Sequence, residues 1–387
     1  MYKILQLNNI AEEGINAFSG SNYHIGLSVD NPDGIILRSH NMHEMNISNS
    51  LKCIGRAGSG VNNIPIEEMA NKAIPVFNAP GANANAVKEL VIASILIAAR
   101  NINKAINYVD DIKNSASLKS DIEKGKKQYV GYELPNKTIG VIGLGAIGVK
   151  VANTCLDLGM NVIGFDPMMT VENAWELKPG IEKANSIKDI LKVVDIITLH
   201  IPMTTSTEKF IDSDEISFMK KDSVIINLSR EGIVNTEAIL NALNSNDLKN
   251  YVTDFPSKEL IDNPNVINMP HLGASTNEAE VKCAVMAAES IKSFLEYGNI
   301  INAVNFPNVY IPYNNEKRLC ITNKNIPNIV GQFTTCLGKS GININDLSHK
   351  NLDQIGYTIL IIDKPPEQNI IDEISNIEGV IKITSIG

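Results

Sequence analysis

The stretch Gly143-Leu144-Gly145-Ala146-Ile147-Gly148 constrains the fold more than any other part of this 387-residue chain. It follows the apolar run Thr138–Ile142 and precedes an apolar pattern of helical period. In such a setting the first glycine makes a tight turn, the second lets the backbone approach a pyrophosphate, and the third packs the helix against the strand. The pattern predicts a strand, a turn and a helix whose N-terminal amides bind the phosphates of a dinucleotide.

The acidic residue that such a site needs is also present. Asp166 ends the next predicted strand, Asn161–Phe165, and lies 18 positions after Gly148. A carboxylate at this place accepts hydrogen bonds from the ribose hydroxyls of the adenosine and repels the additional phosphate of NADP. The sequence therefore predicts NAD as the cofactor.

The chain is long for a single hydrophobic core, and its apolar runs divide into three series. Strands and helices alternate over the first hundred residues and again from Thr138 to Pro270, which predicts two Rossmann- or flavodoxin-like doubly wound α/β domains. After the polar break Pro312–Glu316, a βαββαβ alternation predicts a ferredoxin-like module. We expect a discontinuous substrate-binding domain over 1–95 with 283–311, a nucleotide domain over 96–282, and the module over 317–387.

Composition excludes several classes of partner. The formal net charge is -9 with a pI near 5.3, which argues against nucleic acid and anionic membranes. The five cysteines are scattered, without the spacing of a metal site or a disulfide framework, so we expect no metal and a reducing compartment. The N-terminal residues lack the layout of a signal peptide, and no apolar stretch is long enough to span a bilayer. A cytoplasmic protein is expected.

Three polar residues follow predicted strands in the second half of the nucleotide domain: Arg230, Glu259 and His271. The carboxyl ends of strands are where open α/β sheets bind their ligands. Oxidation of a 2-hydroxy acid needs a base for the hydroxyl proton, and histidine suits this because its pKa is near neutrality. Arginine binds a carboxylate bidentately, and a glutamate on the other imidazole nitrogen would raise the basicity of the histidine.

These segments resemble the D-2-hydroxyacid dehydrogenase family over nearly the whole chain. The resemblance implies that Arg230 orients and polarises the substrate, that His271 is the acid/base and that Glu259 is its partner. The segment after Asp254 reads Phe-Pro-Ser-Lys-Glu-Leu and departs from the family's usual Glu-Pro, so Asp254 stays open as a substitute partner. The cofactor-binding residues that we expect are Gly143, Gly145, Ala146, Ile147, Gly148, Asp166, His200, Ile201, Pro202, Thr207, Leu228, Ser229, Arg230, Asp254, His271, Gly273 and Ala274.

The loops of the first domain resemble the branch of this family that oxidises 3-phospho-D-glycerate to 3-phosphooxypyruvate, the first step of L-serine biosynthesis. That likeness implies a substrate contact from Arg56, with Ser59, Gly60 and Asn78 nearby, and Arg38 could add charge for a phosphate. Another D-2-hydroxy acid, such as D-lactate or 2-hydroxyglutarate, stays open as the substrate. A non-catalytic NAD-sensing scaffold is the alternative from a different class.

The C-terminal module resembles an ACT domain, which often binds amino acids between paired copies. By that likeness L-serine would be an effector, held by Asn323, Asn325 and Asn343. Asn323 stands where the family has histidine, and it keeps a donor and an acceptor but is shorter and always neutral. The resemblance also implies a homodimer or homotetramer, between which the sequence does not distinguish.

Overall fold

The computed structural model describes residues 1–20 and 22–387, and these divide into two compact units. The first unit comprises Met1–Asn83 with Asn277–Gly387, and the second is Ala84–Thr276. The strands are β1 Tyr2–Leu7, β2 Tyr23–Gly26, β3 Gly34–Leu37, β4 Cys53–Arg56, β5 Val76–Phe77, β6 Thr138–Ile142, β7 Asn161–Phe165, β8 Glu182–Lys183, β9 Ile196–Leu199, β10 Ser223–Asn227, β11 Leu248–Thr253, β12 Val266–Asn268, β13 Lys317–Lys324, β14 Ile344–Leu352, β15 Ile355–Ile362 and β16 Val380–Ile386.

Most of the α-helices cover these sheets, and a 3-10 turn at Lys126–Tyr129 follows the fifth of them along the described chain. They are α1 Glu12–Asn16, α2 Ile66–Asn71, α3 Ala84–Arg100, α4 Ile102–Ile112, α5 Leu118–Gly125, α6 Ala146–Asp157, α7 Val171–Glu176, α8 Ile187–Leu191, α9 Ser213–Ser217, α10 Thr236–Asn244, α11 Lys258–Ile261, α12 Asn277–Tyr297, α13 Ile329–Lys339 and α14 Gln368–Ser375.

The second unit is a parallel sheet with the strand order β12-β11-β10-β9-β6-β7-β8. Its two faces are covered by separate apolar cores. Helix α3 belongs to this unit as a whole, because Val87, Val91 and Ile95 are buried in the same core as Ile139 and Val149. The unit boundaries at 83/84 and 276/277 therefore differ from the predicted ones at 95/96 and 282/283, since an amphipathic helix remains with the sheet that buries it.

The first unit contains a parallel sheet of order β2-β1-β3-β4-β5 and an antiparallel sheet of order β14-β15-β13-β16. One face of the antiparallel sheet packs on α13 and α14 through Leu319 and Ile321. The other face contributes Tyr357 and Ile359 to the core that contains Ile4 of the parallel sheet. Every residue of β15 is buried as a result.

The predicted α/β fold class, with doubly wound parallel sheets and a C-terminal βαββαβ module, is confirmed. The short edge strands β2 and β8 were not predicted, and β11 begins two residues before its expected start and ends at Thr253. The polar stretch from Asp110 to Lys127 is mostly helix, in α4 and α5. Within the described residues, no helix combines the length and apolar character that crossing a membrane requires.

Candidate active site

The predicted cofactor and catalytic residues of the second unit lie in loops at one edge of its sheet. All the strands of this sheet are parallel, so their carboxyl ends meet at the same edge. Successive loops there carry Gly143 after β6, Asp166 after β7, His200 after β9, Arg230 after β10 and Asp254 after β11. The other predicted members lie in these loops, in the loop after β12 and in the first turn of α6: Ala146, Ile147, Gly148, Ile201, Pro202, Thr207, Leu228, Ser229, His271, Gly273 and Ala274.

The glycine turn has the geometry that its sequence predicts. Gly143 has φ +87°, and a Cβ there would lie 2.6 Å from the carbonyl oxygen of His200. A Cβ on Gly148 would lie 1.8 Å from the carbonyl oxygen of Gly143, so helix α6 can approach the turn this closely only with glycine. At Gly145, no described atom outside the adjoining residues lies within 4 Å of a Cβ, which leaves open space beside the N-terminus of α6. This space suits a diphosphate.

Asp166 is held in a defined orientation beside the glycine turn. Its Oδ2 accepts a 2.8 Å hydrogen bond from the amide of Leu144, and its Oδ1 accepts one of 2.8 Å from the amide of Met168. A carboxylate has about four lone-pair sites, so each oxygen can accept a further hydrogen bond. The half-buried carboxylate can therefore accept hydrogen bonds from ribose hydroxyls while it keeps its hydrogen bonds to the amides of Leu144 and Met168.

His200 follows β9, and its half-buried side chain is a neutral imidazole. Burial lowers its pKa to about 3, so the side chain carries no charge at neutral pH. Its Nε2 lies 3.0 Å from Thr198 Oγ1, whereas its Nδ1 is buried without a hydrogen-bond partner among the described residues. In the loop that follows, Thr207 Oγ1 donates to the carbonyl of Pro202 at 2.6 Å and closes a turn.

Arg230 is positioned by a residue that the sequence analysis missed, Asn227. The buried Asn227 side chain donates from Nδ2 to the carbonyl of Arg230 at 2.9 Å, and its Oδ1 accepts from Ser229 Oγ at 2.8 Å. Arg230 Nη1 donates to the carbonyl of Ser229 at 2.7 Å. A polar residue at the last position of a strand, after three apolar ones, is the sequence signal that could have identified Asn227.

Asp254 connects the loop after β11 to the His271 loop. Its carbonyl oxygen accepts from the amide of His271 at 2.9 Å, and its Oδ2 accepts from the amide of Gly273 at 3.2 Å. Asp254 is 1% exposed, and its Oδ1 has no hydrogen-bond partner in the described part of the chain. Burial raises the pKa of this carboxyl, while the Gly273 amide and the charges of His271 and Arg230 act in the opposite direction.

His271 itself is exposed and has the left-handed φ of +43°. Its ring packs against that of Phe255, with the ring centroids 4.9 Å apart and the planes tilted by 56°. Glu259 lies in the short helix α11, where it is exposed and its Oε2 accepts a 2.9 Å hydrogen bond from Ser257 Oγ. Within residues 1–20 and 22–387 no hydrogen bond or ion pair joins Glu259 to His271. The partner of His271 therefore stays a prediction.

The predicted substrate residues belong to the first unit. Arg56 ends β4 and donates from Nε to the carbonyl of Arg38 at 3.0 Å, and Asn78 Nδ2 donates to the carbonyl of Ser59 at 2.8 Å. The half-buried Gly60 lies in the same loop as Ser59. Arg38 forms an ion pair with Glu280, with Nη1 and Oε1 2.6 Å apart. Hydrogen bonds thus link the loops that carry Arg56, Ser59 and Asn78 to neighbouring loops of this unit.

The three predicted effector residues do not lie together in one chain. Asn323 is buried near the end of β13, where it is paired with Gly356, and Asn325 is exposed just beyond it. Asn343 precedes Ile344, which is paired with Ile362 at the other end of β15. At about 3.4 Å per residue, the two ends are about 20 Å apart. A common site would need Asn343 from a second copy.

Comparisons with known proteins show which proteins this chain is similar to. Residues 92–273 match the family model for the NAD binding domain of D-isomer specific 2-hydroxyacid dehydrogenases. The D-3-phosphoglycerate dehydrogenase of Methanocaldococcus jannaschii is 41% identical over 265 residues, which are 67% of this chain and 48% of that protein. The chain therefore spans about half the length of that relative.

Two further comparisons cover more of the chain. The D-3-phosphoglycerate dehydrogenase of Escherichia coli is 29% identical over 363 residues, which are 90% of this chain and 85% of that protein. The crystal structure of NAD+-bound 3-phosphoglycerate dehydrogenase from Entamoeba histolytica has a TM-score of 0.63 and 25% sequence identity, and covers 80% of this chain and 99% of its own. With the glycine turn, Asp166 and the loops of Arg230 and His271 at one sheet edge, these matches identify residues 92–273 as an NAD-binding domain of the D-isomer specific 2-hydroxyacid dehydrogenase family, and they show that the chain is similar to D-3-phosphoglycerate dehydrogenases over most of its length.

Proposed function

We propose that this protein oxidises 3-phospho-D-glycerate to 3-phosphooxypyruvate with NAD, the first step of L-serine biosynthesis. The observation that carries the proposal is the position of Arg230, Asp254 and His271, whose loops share the sheet edge with the glycine turn. The choice of substrate is supported by the names of the relatives from Methanocaldococcus jannaschii and Escherichia coli.

The residues present fit NAD. The open space at Gly145 suits the diphosphate, and Asp166 has acceptor sites for the ribose hydroxyls. The unpaired Oδ1 of Asp254 is a buried acceptor that the N–H group of a carboxamide would satisfy. NAD, when bound, supplies the acceptor for the hydride that leaves carbon 2 of the substrate.

The side chains in the loops at this sheet edge bind the substrate and transfer the proton. The Arg230 guanidinium holds the substrate carboxylate and stabilises the negative charge that develops on the carbinol oxygen. His271, as the neutral imidazole, accepts the hydroxyl proton while the carbon–hydrogen bond breaks, and it returns a proton to the carbonyl oxygen in the reverse direction. Glu259 partners the imidazolium, and Asp254 is the alternative for this role. Asn227 acts as a positioning residue through Arg230.

For the substrate phosphate we propose Arg56, with Ser59, Gly60 and Asn78 shaping its loop. Arg56 is a planar donor fork, which suits a phosphate monoester. Arg38 is engaged with Glu280, so it contributes only if that exposed ion pair opens. The parallel sheet of the first unit would then be the core of the substrate-binding domain.

The test is NADH formation, followed by absorbance, from 3-phosphoglycerate, D-lactate and D-2-hydroxyglutarate. We expect the wild type to prefer 3-phosphoglycerate, and His271→Ala to lose a factor of about 10² to 10⁴, the range for a general base. His24→Ala, at an exposed strand position, is the matched control and should keep full activity. A preference for another acid would contradict the proposal that 3-phosphoglycerate is the substrate. NADH binding without turnover of any acid would favour the sensing scaffold.

We also propose that the protein is a homo-oligomer that L-serine inhibits. The separation of Asn323 and Asn325 from Asn343 favours a site built by two copies, each supplying one end of its module sheet. The described cysteines are all buried and unpaired, which supports the expectation of a reducing, cytoplasmic location.

A further inference from the structure

A cavity of 510 Å³ lies inside the first unit, between the antiparallel sheet of the C-terminal module and the end of α12. The module lines it with Thr322 from β13 and with Lys382 and Thr384 from β16. The opposite wall includes Tyr2 from β1 and Lys52 from the segment before β4. A volume in this range is typical of small-molecule sites.

The register of the module sheet explains why polar side chains face this cavity. Thr322 is paired with Lys382, and Cys320 with Thr384. Side chains alternate along a strand, so these residues point away from the helices α13 and α14, whose core contains Ile321 instead. On the β15 side, the same sheet face is apolar and packs into a core. The polar residues of β13 and β16 on this face line the cavity and are not part of that core.

Lys382 is a cation on the cavity wall that forms no ion pair with any described residue. Its side chain is half-buried, and in the described chain its ammonium has no hydrogen bond or ion pair. Burial lowers the pKa of Lys382, and the positive charge of Lys52 lowers it further. Lys52 is already engaged, with its Nζ 3.0 Å from Asp33 Oδ1 and 5.3 Å from the centre of the Tyr2 ring.

The carboxylate side chain on the cavity wall does not neutralise Lys382. Glu296 lines the cavity, but its Oε1 accepts a 2.5 Å hydrogen bond from Tyr23 Oη. Hydrogen bonding to Glu296 also raises the pKa of Tyr297, so both tyrosines share this carboxylate. Partial burial of a cation without a partner has an unfavourable desolvation free energy, and binding of an external anion would offset it.

The remaining wall indicates what kind of anion fits. Tyr297 and Tyr313 stack with their ring centroids 4.8 Å apart, and Phe294 and Tyr357 line the same space. We propose that this cavity is a second ligand site, which binds a small carboxylate with an aromatic or apolar body. Lys382 and Lys52 hold the carboxylate, and the aromatic wall contacts the body. The ligand touches both the module and the parallel sheet, so it stabilises their packing in one chain.

The test uses the full chain and two probes of equal size, benzoate and the neutral benzamide, with binding measured by calorimetry and ligand-observed NMR. The wild type should bind benzoate about tenfold or more tightly than benzamide, the difference expected for one charge-assisted hydrogen bond. Lys382→Met should abolish this preference. Lys364→Met, at an exposed position of the same module outside the cavity, should retain it.

Folding is monitored through thermal unfolding without a ligand. Lys382→Met should not lower Tm, because it removes an unpaired half-buried charge. Thr384→Val is a second variant of the cavity wall, in which the side chain keeps its shape and loses its hydroxyl group. Equal binding of the two probes by the wild type, undiminished benzoate binding by Lys382→Met, or no benzoate binding would each overturn the proposal. A similar affinity for inorganic phosphate would also overturn it, since simple charge attraction would then suffice.

Discussion

At the scale of single residues, the site depends on buried side chains that fix the main chain of the catalytic loops. The Asn227 side chain holds the carbonyl of Arg230, and the Asp254 carboxylate holds the amide of Gly273, while the main-chain carbonyl of Asp254 accepts from the amide of His271. Each is 1% exposed and lies at or just after the end of a strand. Their loss would move the reactive groups without removing them. For this reason they are better described as positioning residues.

The partner of His271 can be identified from the pH dependence of kcat/KM for oxidation. The base must be neutral to accept a proton, so kcat/KM has an acidic limb, and an ionised partner that stabilises the imidazolium holds this limb at higher pH. We expect Glu259→Gln to extend activity to lower pH, shifting the acidic limb by about one unit and lowering the plateau. The exposed Glu259 is ionised at neutral pH, because a backbone amide and Ser257 lower its pKa.

Asp254→Asn is the matched comparison, because it keeps the size and an acceptor oxygen for the Gly273 amide. We expect this variant to raise KM for NAD and to leave the acidic limb in place. The reverse pattern, with the limb moved by Asp254→Asn and unmoved by Glu259→Gln, would assign the partner role to Asp254.

At the scale of elements, strands and long helices follow from the pattern of apolar residues, whereas their tertiary neighbours do not. The run Thr138–Ile142 and the helix after Gly145 were predictable because every face of the strand is buried and the helix is amphipathic. Strands β2 and β8 are short edge strands whose residues are half-buried or exposed, so they have no distinctive pattern. Asn227 was missed for another reason: its hydrogen bonds to Ser229 and to the carbonyl of Arg230 depend on the conformation of the loop after β10, which has no periodic sequence pattern.

The linker after residue 311 is an element that the sequence marks only as a polar break. In the fold it is organised around Arg318, which is 1% exposed. The guanidinium donates to the carbonyls of Ile311 at 3.0 Å, Pro312 at 2.6 Å and Tyr297 at 3.0 Å, and it lies 4.9 Å from the centre of the Tyr313 ring. A single side chain thus ties α12, the linker and β13 together.

We therefore expect Arg318→Met to lower the free energy of unfolding by about 2–4 kcal/mol, because three carbonyls lose a charged donor inside the protein. The measurement is urea denaturation followed by circular dichroism. Lys72→Met, which removes an exposed helical ion pair with Glu68, is the control and should cost less than about 1 kcal/mol. An Arg318→Met variant as stable as this control would mean that water replaces the guanidinium.

At the scale of the whole molecule, the sequence indicates a separable C-terminal module, but the fold joins it to the parallel sheet. Tyr357 and Ile359 share one apolar core with Ile4 and Phe18. A long-range contact of this kind leaves no local sequence pattern. Each of these apolar residues is already expected from burial within its own sheet, so the sequence does not show that the two sheets share a core. Removing residues 317–387 would expose that core, so we expect the truncated chain to aggregate. Truncation is therefore unsuited to testing the module's role in regulation.

Point substitution in the full chain is the sharper test of inhibition by L-serine. Asn343 is exposed, and among the described residues its Nδ2 donates only to the neighbouring Asn345 Oδ1, at 2.8 Å. Asn343→Ala should therefore leave the free energy of unfolding within about 0.5 kcal/mol of wild type. If the effector site lies between two copies, this variant should need at least about tenfold more L-serine for half-inhibition, the cost of about one hydrogen bond to a charged ligand. Asn369→Ala, on an exposed surface of α14, should respond as wild type does. Inhibition that is unchanged in Asn343→Ala but lost in Lys382→Met would move the effector from the paired-copy site to the cavity within one chain.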